Sequence, residues 1–192
     1  IGTNGCCQIV CRILALDPKT GNLKWHYQYT RHDTWDYDGV NTPVLADIKY
    51  EGKDYDAIIH ADRNGFFHAI DRSNGKLIYA RPFVKATSVT GYTADGKPVQ
   101  DESKYPKAGT TIETCPSFLG GKNWWSVSYD ADKHIAIIPA LHACMSLSGK
   151  SVTYTVAFGL PTKDPWTSRS TCVPTWALVT SQQSSPSVKE LL

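Results

Sequence analysis

Apolar and polar residues alternate along much of the chain, and short polar turns interrupt the alternation at intervals. Three segments share one design, in which an apolar residue precedes an aspartate, a polar turn follows and the alternation resumes; they are Leu14–Trp25, Ala69–Tyr79 and Val127–Ile138. The first two turns contain a glycine, whereas the third keeps the aspartate and lacks the glycine. Each segment predicts a strand, a turn and a second strand.

The spacing of the three aspartates indicates a larger repeat. Asp17, Asp71 and Asp130 are separated by 54 and 59 residues, a length that suits one four-stranded blade of a β-propeller. Further strand candidates lie at 57–61 and 65–70, and helical periodicity is weak throughout. We therefore predict an all-β chain that forms a partial β-propeller of about three four-stranded blades. Three blades are too few to close a ring, because propellers use about four to eight.

The last forty or so residues depart from this pattern. From about Lys150 the sequence is rich in Ser, Thr and Pro, and the Asp-turn-Gly marker does not recur. We predict propeller blades over residues 1–149 and an irregular C-terminal tail of uncertain fold over residues 150–192.

Composition and charge exclude several classes of protein. Hydrophobic residues make up 41% of the chain and charged residues 20%, which is typical of globular domains. The net charge is +2, and the basic residues are scattered among carboxylates, so we predict no nucleic-acid partner. A run of about 18 apolar residues is absent, so we predict no membrane span in this segment. No signal-peptide pattern lies near Ile1, and we expect a processed chain or part of a longer one.

The cysteines favour an exported protein. They lack the paired two-residue-gap spacing of a zinc site, and no histidine cluster completes a set of four ligands. A disulfide-permissive setting therefore fits better, with buried free thiols as the alternative. The six cysteines are Cys6, Cys7, Cys11, Cys115, Cys144 and Cys172.

Three longer motifs are Lys24–Asn41, which contains Asp-Tyr-Asp, His60–Phe67 and Cys115–Trp125. The first resembles the active-site strand and loop of the methanol and ethanol dehydrogenases that depend on pyrroloquinoline quinone (PQQ). The other two are similar to the next two blades of that family, in family order and at family-like spacing. The resemblance extends from about residue 14 to 145. It implies an eight-bladed propeller, of which this chain would hold about three blades, with PQQ and a cation on the propeller axis.

The aspartates near the start of the chain are the first candidate site residues. A cluster such as Asp33, Asp36 and Asp38 is more often a solvated turn. In an extended segment, however, Asp36 and Asp38 lie on the same side and could bind one hard cation. The resemblance implies that Asp36 is the catalytic base for the alcohol proton and a metal ligand. It also implies a lanthanide ion, because the lanthanide-dependent branch has Asp at the position of Asp38, where calcium-using methanol dehydrogenases usually have a small neutral residue.

The remaining candidate residues lie in the two following blades. By residue type alone, Arg63 could be an exposed turn residue, Asn123 a loop residue and Trp124 a core residue. The resemblance implies instead that Arg63 binds the quinone carbonyl region of PQQ and that Asn123 and Trp124 contact its rim. It also implies a disulfide between Cys115 and Cys144. The family's metal-binding Glu and Asn, and the Trp beneath PQQ, belong to blades without a counterpart here, so we expect an incomplete cofactor site.

These features together predict part of a periplasmic quinoprotein alcohol dehydrogenase. The family oxidises small primary alcohols to aldehydes by hydride transfer to PQQ, with a lanthanide ion or Ca²⁺, and passes electrons to a cytochrome c-type acceptor. Two alternatives remain open at this point. One is a non-catalytic propeller scaffold with PQQ-like repeats, and the other is an inactive, truncated relic of the enzyme.

Overall fold

The computed structural model describes residues 11–150 and two strands nearer the C-terminus, and it confirms the predicted all-β fold. The only helical element in these ranges is one 3₁₀ turn at Glu102–Lys104, so no described helix has the length or apolarity needed to cross a membrane. The strands are β1 (Arg12–Leu16), β2 (Leu23–Gln28), β3 (Val44–Tyr50), β4 (Lys53–Ala61), β5 (Phe66–Asp71), β6 (Leu77–Pro82), β7 (Val89–Tyr92), β8 (Pro98–Gln100), β9 (Thr111–Thr114), β10 (Ser128–Asp130), β11 (Ile135–Ala140), β12 (Ala143–Lys150), β13 (Trp176–Gln183) and β14 (Ser187–Glu190).

The three predicted strand-turn-strand segments are antiparallel hairpins, formed by β1–β2, β5–β6 and β10–β11. The aspartate that marks each repeat organises its turn. Asp17 Oδ1 accepts hydrogen bonds from the backbone N–H groups of Lys19 and Thr20, both at 3.0 Å. Asp71 and Asp130 accept similar bonds from the turn residues that follow them. The repeated aspartate is therefore explained by turn geometry.

The fourth residue after each aspartate has left-handed backbone geometry. The φ angle is 73° at Gly21, 75° at Gly75 and 55° at His134. Glycine adopts this conformation freely, whereas a residue with a Cβ pays about 1–2 kcal/mol. The third turn thus forms without its glycine because His134 takes the same conformation at that cost.

The four-stranded sheet β3-β4-β5-β6 is one complete blade, and all its neighbouring strands are antiparallel. Both of its faces are buried, as expected for a blade stacked between two others. On one face, Ala57, Ile59 and Phe67 pack with β11 residues such as Ile138. On the other face, Ile58 and Ile70 pack with the tyrosines of the β2 segment. The other described sheets have two or three strands, in the orders β1-β2, β7-β8, β13-β12-β9 and β10-β11-β14.

Trp25 connects two successive repeats. Its Nε1 donates to the carbonyl oxygen of Arg72 at 3.0 Å, and its ring covers Gly75. A Cβ on Gly75 would lie 2.6 Å from Trp25 Cε3, so the turn must present bare backbone at that point. The aromatic residue at the end of the first repeat therefore docks on the turn of the second.

Most of the predicted tail, residues 151–175, 184–186 and 191–192, lies outside the described residues. The two strands that are described, β13 and β14, pair antiparallel with β12 and β11. The composition of the tail did not predict these regular strands. The boundary between blades and tail at residues 149 and 150 stays a prediction.

His68 of β5 lies within an aromatic cluster between β2 and the central blade. It is fully buried, and the centroid of its ring is 4.8 Å from that of Tyr29 and 4.9 Å from that of Tyr92. Neither ring nitrogen has a hydrogen-bond partner in the part of the chain that the structure describes. Burial lowers the pKa of His68 to about 3, against the opposing effect of the Asp62 carboxylate. The folded protein therefore holds this imidazole neutral.

We predict that His68 makes the fold acid-sensitive. The unfolded chain binds a proton at His68 below about pH 6.5, whereas the folded chain does not until about pH 3, so stability falls as the pH drops through this window. The loss between pH 7 and 4.5 should be about 2 kcal/mol. His68→Phe should reduce it, as measured by urea unfolding at both pH values, whereas His26→Ala at an exposed site of β2 should not. Equal acid sensitivity of the wild type and His68→Phe would contradict this account.

Candidate active site

The loop between β2 and β3 carries Asp36 and Asp38, and Asp33 fixes its course. Asp33 Oδ1 accepts from the backbone N–H of Trp35 at 3.0 Å, and its Oδ2 accepts from that of Tyr37 at 2.7 Å. Burial raises the pKa of Asp33, whereas these two N–H bonds favour its ionised form. Asp33 is therefore a structural residue of the loop, which distinguishes it from the other two aspartates of the cluster.

Two buried aromatic side chains anchor this loop to distant parts of the chain. Trp35 Nε1 donates to the carbonyl oxygen of Lys104 at 2.6 Å. Tyr37 Oη donates to the carbonyl oxygen of Pro116 at 2.7 Å and is also 3.2 Å from Ser88 Oγ. Each phenol or indole group thus has a partner at its buried end, as such groups require.

Asp36 and Asp38 are exposed on the side of the loop opposite these aromatic residues. The expected alternation, with Tyr37 packed inward and both carboxylates outward, is present. The backbone is not simply extended, however, because Asp36 has a φ of 66°. Aspartate tolerates the left-handed region better than most residues, and the neighbouring anchors hold the loop there at a cost of order 1–3 kcal/mol.

Arg63 belongs to the turn between β4 and β5. It lies between the aspartate loop, which joins β2 to β3, and the loop that joins β9 to β10. Its Nη1 donates to the carbonyl oxygen of Asp38, and its Nη2 donates to the carbonyl oxygen of Phe118. Nη2 is also 4.0 Å from Asp36 Oδ2, in a pair whose side chains are 12% and 67% exposed. The buried Nε has no partner among the described residues.

The environment of Asp36 shifts its protonation equilibrium. Partial loss of solvation raises the pKa of Asp36, the guanidinium of Arg63 lowers it, and the carboxylate of Asp38 raises it. The resulting pKa lies above the ordinary value for aspartate. A raised pKa makes the carboxylate a stronger proton acceptor, which is the direction that base catalysis near neutral pH requires.

Two glycines leave room for the Arg63 side chain. A Cβ on Gly39 would lie 2.5 Å from Arg63 Cδ, and a Cβ on Gly120 would lie 2.7 Å from Arg63 Cβ. Gly120 also has a φ of 81°, which disfavours other residues there. The aliphatic part of the Arg63 side chain therefore has close backbone neighbours at both glycines.

The loop between β9 and β10 carries Asn123 and Trp124. Its Gly121 N–H donates to the carbonyl oxygen of Arg63 at 2.8 Å, which joins this loop to the arginine turn. Asn123 Nδ2 donates to the carbonyl oxygen of Leu119, and Asn123 Oδ1 accepts from the N–H of Trp124, both at 2.9 Å. The amide of Asn123 thus orders its own loop, and the indole of Trp124 is exposed.

An open cavity of about 530 Å³ lies beside this loop, and its size is suited to a small ligand. Its walls are largely apolar, and Asp36 and Arg63 do not line it. The lining residues are Leu119, Asn123, Trp124, Trp125, Pro139, Ala140 and Leu141.

The structure therefore brings Asp36, Asp38 and Arg63 into one contact group, and Asn123 and Trp124 adjoin it through the loop that packs on Arg63. Sequence reasoning did not single out two further buried residues at the same place, Asn41 and Lys122. The position of Asn41, two residues after the Asp-Tyr-Asp-Gly stretch, was the one signal available for either.

The donor set fits part of a cation site. Asp36 and Asp38 offer the oxygen ligands that hard cations prefer, but such ions take about six to eight. In the described ranges, no group of three or more His, Cys, Asp and Glu side chains is arranged to hold a metal ion. These two carboxylates would thus need further ligands from elsewhere.

Residues 11–106, half of the chain, match the family model described as the β-propeller domain of PQQ-dependent glucose, ethanol and alcohol dehydrogenases. The chain belongs to this family. Membership agrees with the stacked sheets and with the loops that converge at Arg63.

Relatives in this family are quinoprotein alcohol dehydrogenases. The chain is 40% identical to the quinoprotein alcohol dehydrogenase PedH of Pseudomonas putida, over 73% of this chain and 25% of the relative. It is 37% identical to the lanthanide-dependent methanol dehydrogenase of Methylacidiphilum fumariolicum, over 76% of this chain and 24% of the relative. The structure matches that of a europium-containing methanol dehydrogenase with a TM-score of 0.76 at 32% identity, over 91% of this chain and 28% of the other. The chain thus spans about a quarter of the length of these relatives.

Two of the cysteines form the disulfide that the family resemblance implied. Cys115, directly after β9, is bonded to Cys144 in β12, with the Cα atoms 4.3 Å apart. The bond closes the segment that contains Asn123 and Trp124. Cys11 is a buried free thiol that donates to Asp33 Oδ2 at 3.5 Å. The other three cysteines, Cys6, Cys7 and Cys172, lie outside the described residues.

We predict that the disulfide stabilises this family member by about 3–4 kcal/mol, because it constrains a loop of about 30 residues in the unfolded chain. The double variant Cys115→Ser/Cys144→Ser should lose this stability in denaturant titrations under oxidising conditions. In excess reductant, wild type and variant should unfold at similar denaturant concentrations. A wild type whose stability is unchanged by complete reduction would contradict the prediction.

Proposed function

We propose that this chain contributes the catalytic base and part of the cofactor site to a PQQ-dependent alcohol dehydrogenase that oxidises small primary alcohols to aldehydes. The observation that carries the proposal is the pairing of an exposed Asp36 with a largely buried Arg63, whose aliphatic stem packs against two glycines. When bound, PQQ supplies the two-electron acceptor for hydride from the alcohol carbon, and the cation supplies Lewis acidity at its quinone oxygen. The names of the relatives agree with this reaction class.

Asp36 would accept the hydroxyl proton of the alcohol at a carboxylate oxygen. It is exposed, so a substrate can reach it, and its raised pKa favours proton transfer. Its left-handed backbone and the buried residues on either side fix the direction of the carboxylate. These features supply orientation, which a solvated turn aspartate would lack.

Asp36 and Asp38 would also bind the cation. Two neighbouring carboxylates repel each other, and a cation between them relieves that repulsion. A trivalent ion does so more strongly than a divalent one, which supports a lanthanide ion, with Ca²⁺ as the alternative. The further ligands would come from other blades, in agreement with the quarter of the relatives' length that this chain spans.

Arg63, Asn123 and Trp124 would bind PQQ. A fixed guanidinium favours negative charge on a nearby oxygen, and the Nε of Arg63 donates to no other residue that the structure describes. Trp124 offers an exposed ring at the edge of the adjoining cavity. The amide of Asn123 is already used within its loop, so this residue would act mainly by shaping the rim.

The rest of the propeller would be supplied by a longer polypeptide. Leu14, Leu16 and Leu23 expose more than half of their surface on the β1–β2 hairpin, which supports contact with a further blade. We place the whole enzyme in the periplasm, where it would deliver electrons to a cytochrome c-type acceptor.

We predict that Asp36→Asn in the full-length protein lowers kcat with primary alcohols by about 10²–10⁴-fold, because it removes the base and keeps the side-chain size. The measurement is dye-linked alcohol oxidation after reconstitution with PQQ and either Ca²⁺ or La³⁺. Asp54→Asn, at an exposed site in β4, is the control and should keep full activity. PQQ binding without alcohol oxidation in the wild type would favour a scaffold or a relic and overturn the proposal.

A second prediction distinguishes activity supported by La³⁺ from activity supported by Ca²⁺. Asp38→Ala should abolish La³⁺-supported activity and retain part of the Ca²⁺-supported activity, because a trivalent ion requires more negative ligand charge. Activity titrations with each ion on the same protein preparation provide the comparison. Unchanged La³⁺-supported activity in Asp38→Ala would remove Asp38 from the ligand set.

A further inference from the structure

Asn41 lies where the three loops of the candidate site meet. It ends the loop that carries the two exposed aspartates, and its Nδ2 is 3.0 Å from the carbonyl oxygen of Ala61 and 3.4 Å from that of Lys122. Ala61 comes two residues before Arg63, and Lys122 directly precedes Asn123. A single buried amide nitrogen therefore bonds the aspartate loop to both other loops.

We propose that Asn41 is a positioning residue that fixes the aspartate loop, the arginine turn and the Asn123 loop relative to one another. This proposal rests on the proposed function only for the roles of the site residues that the three loops carry. The geometry that Asn41 maintains can be measured whether or not the site binds PQQ.

The chemistry of the junction favours an amide at position 41. Both partners are carbonyl oxygens, so the atom that faces them must donate, and an asparagine nitrogen carries two hydrogens. Asn41 is 7% exposed, so water has little access to replace a lost donor. Removal of the nitrogen would leave two buried carbonyl groups without these bonds, which costs more than the bonds themselves contribute.

Arg63 alone would not hold the loops in one orientation. Its guanidinium bonds to the carbonyl oxygens of Asp38 and Phe118, which belong to the two loops on either side of it. Asn41 bonds at other points, Ala61 and Lys122. The guanidinium bonds and the Gly121 N–H bond to the carbonyl oxygen of Arg63 are all made by one residue, whereas Asn41 adds a separate point that restricts rotation about it. Asn41 would therefore preserve the arrangement when Arg63 engages a ligand.

Lys122 adds an electrostatic contribution to the same junction. It is almost completely buried, and its Nζ donates to the carbonyl oxygen of Asn123 at 2.8 Å. Burial lowers the pKa of Lys122 to about 8, and the Asp62 carboxylate acts in the opposite direction. Asp62 Oδ2 in turn accepts from the N–H of Asn64 in the arginine turn at 3.2 Å. The attraction between this cation and this anion joins the two loops that Asn41 also joins.

The test compares the wild type with the variants Asn41→Asp and Tyr27→Phe, all as full-length protein. Asn41→Asp keeps the side-chain size and removes both N–H donors. Tyr27→Phe is the matched control, because it removes another buried side-chain bond, from Tyr27 Oη to the carbonyl oxygen of Gly96 at 2.9 Å. Hydrogen exchange is followed in peptides that contain Tyr37, Asn64 and Gly121, whose N–H groups are hydrogen-bonded and report one loop each.

We expect Asn41→Asp to raise exchange rates in all three peptides by about tenfold or more, while Tyr27→Phe leaves them near wild type at a similar melting temperature. The PQQ dissociation constant, measured with La³⁺ or Ca²⁺ present, should rise in Asn41→Asp by about tenfold and stay unchanged in Tyr27→Phe.

Faster exchange confined to the Tyr37 peptide, or unchanged exchange in all three, would overturn the positioning role. If Asn41→Asp does not fold, Asn41→Ala takes its place, because it removes both donors without adding a charge. It should loosen the same three peptides, and wild-type protection in that variant would likewise overturn the role. If the wild type fails to bind PQQ, the proposed function fails, and the exchange data alone decide the role of Asn41.

Discussion

The candidate site is arranged around one largely buried cation, because the terminal nitrogens of Arg63 need hydrogen-bond acceptors where water is mostly excluded. The charge is taken up mainly by backbone carbonyl oxygens from two loops, with one carboxylate at 4.0 Å. Glycine at positions 39 and 120 leaves room for this side chain, because a Cβ at either position would contact carbon atoms of Arg63. Both loops are therefore bonded to one cation, in addition to the bonds of Asp33 and Tyr37 that hold the first loop.

The stacked sheets explain why this cation can be held so firmly. Both faces of the central blade are buried, so β4 and β5 and the turn between them have little freedom to move. Arg63 extends from that turn, and the disulfide at Cys115 anchors the start of the loop that packs on it. Rigid strands thus carry short loops, an arrangement that suits a site requiring precise orientation.

The sequence predicted the features that depend on local patterns. The three hairpins followed from Asp17, Asp71 and Asp130, because an aspartate that caps its own turn acts over a few residues. The left-handed φ of His134 could not be foreseen, since the signal for that conformation is a glycine and the glycine is missing. Alternation indicated that Asp36 and Asp38 lie on one side, but it did not reveal the turn at Asp36, which distant anchors impose.

The contacts of Asn41 show why the rest of the site was beyond sequence reasoning. Its two partners are 20 and 81 residues away, and no periodic pattern connects positions so far apart. The role proposed for Arg63 came from family resemblance, because an arginine before Asn-Gly is otherwise an ordinary turn residue. Local chemistry therefore predicted the elements, whereas the junctions between elements needed the fold.

The choice of acceptors around Arg63 has a consequence for the proposed cation site. Had the guanidinium formed a bidentate pair with Asp38, that carboxylate would be neutralised and unavailable to a metal ion. Arg63 instead binds the backbone carbonyl of Asp38 and remains 4.0 Å from the carboxylate of Asp36. Both carboxylates consequently stay exposed and available to a cation. The same backbone bond fixes the loop that presents them, so Arg63 orients the proposed ligands without competing for them.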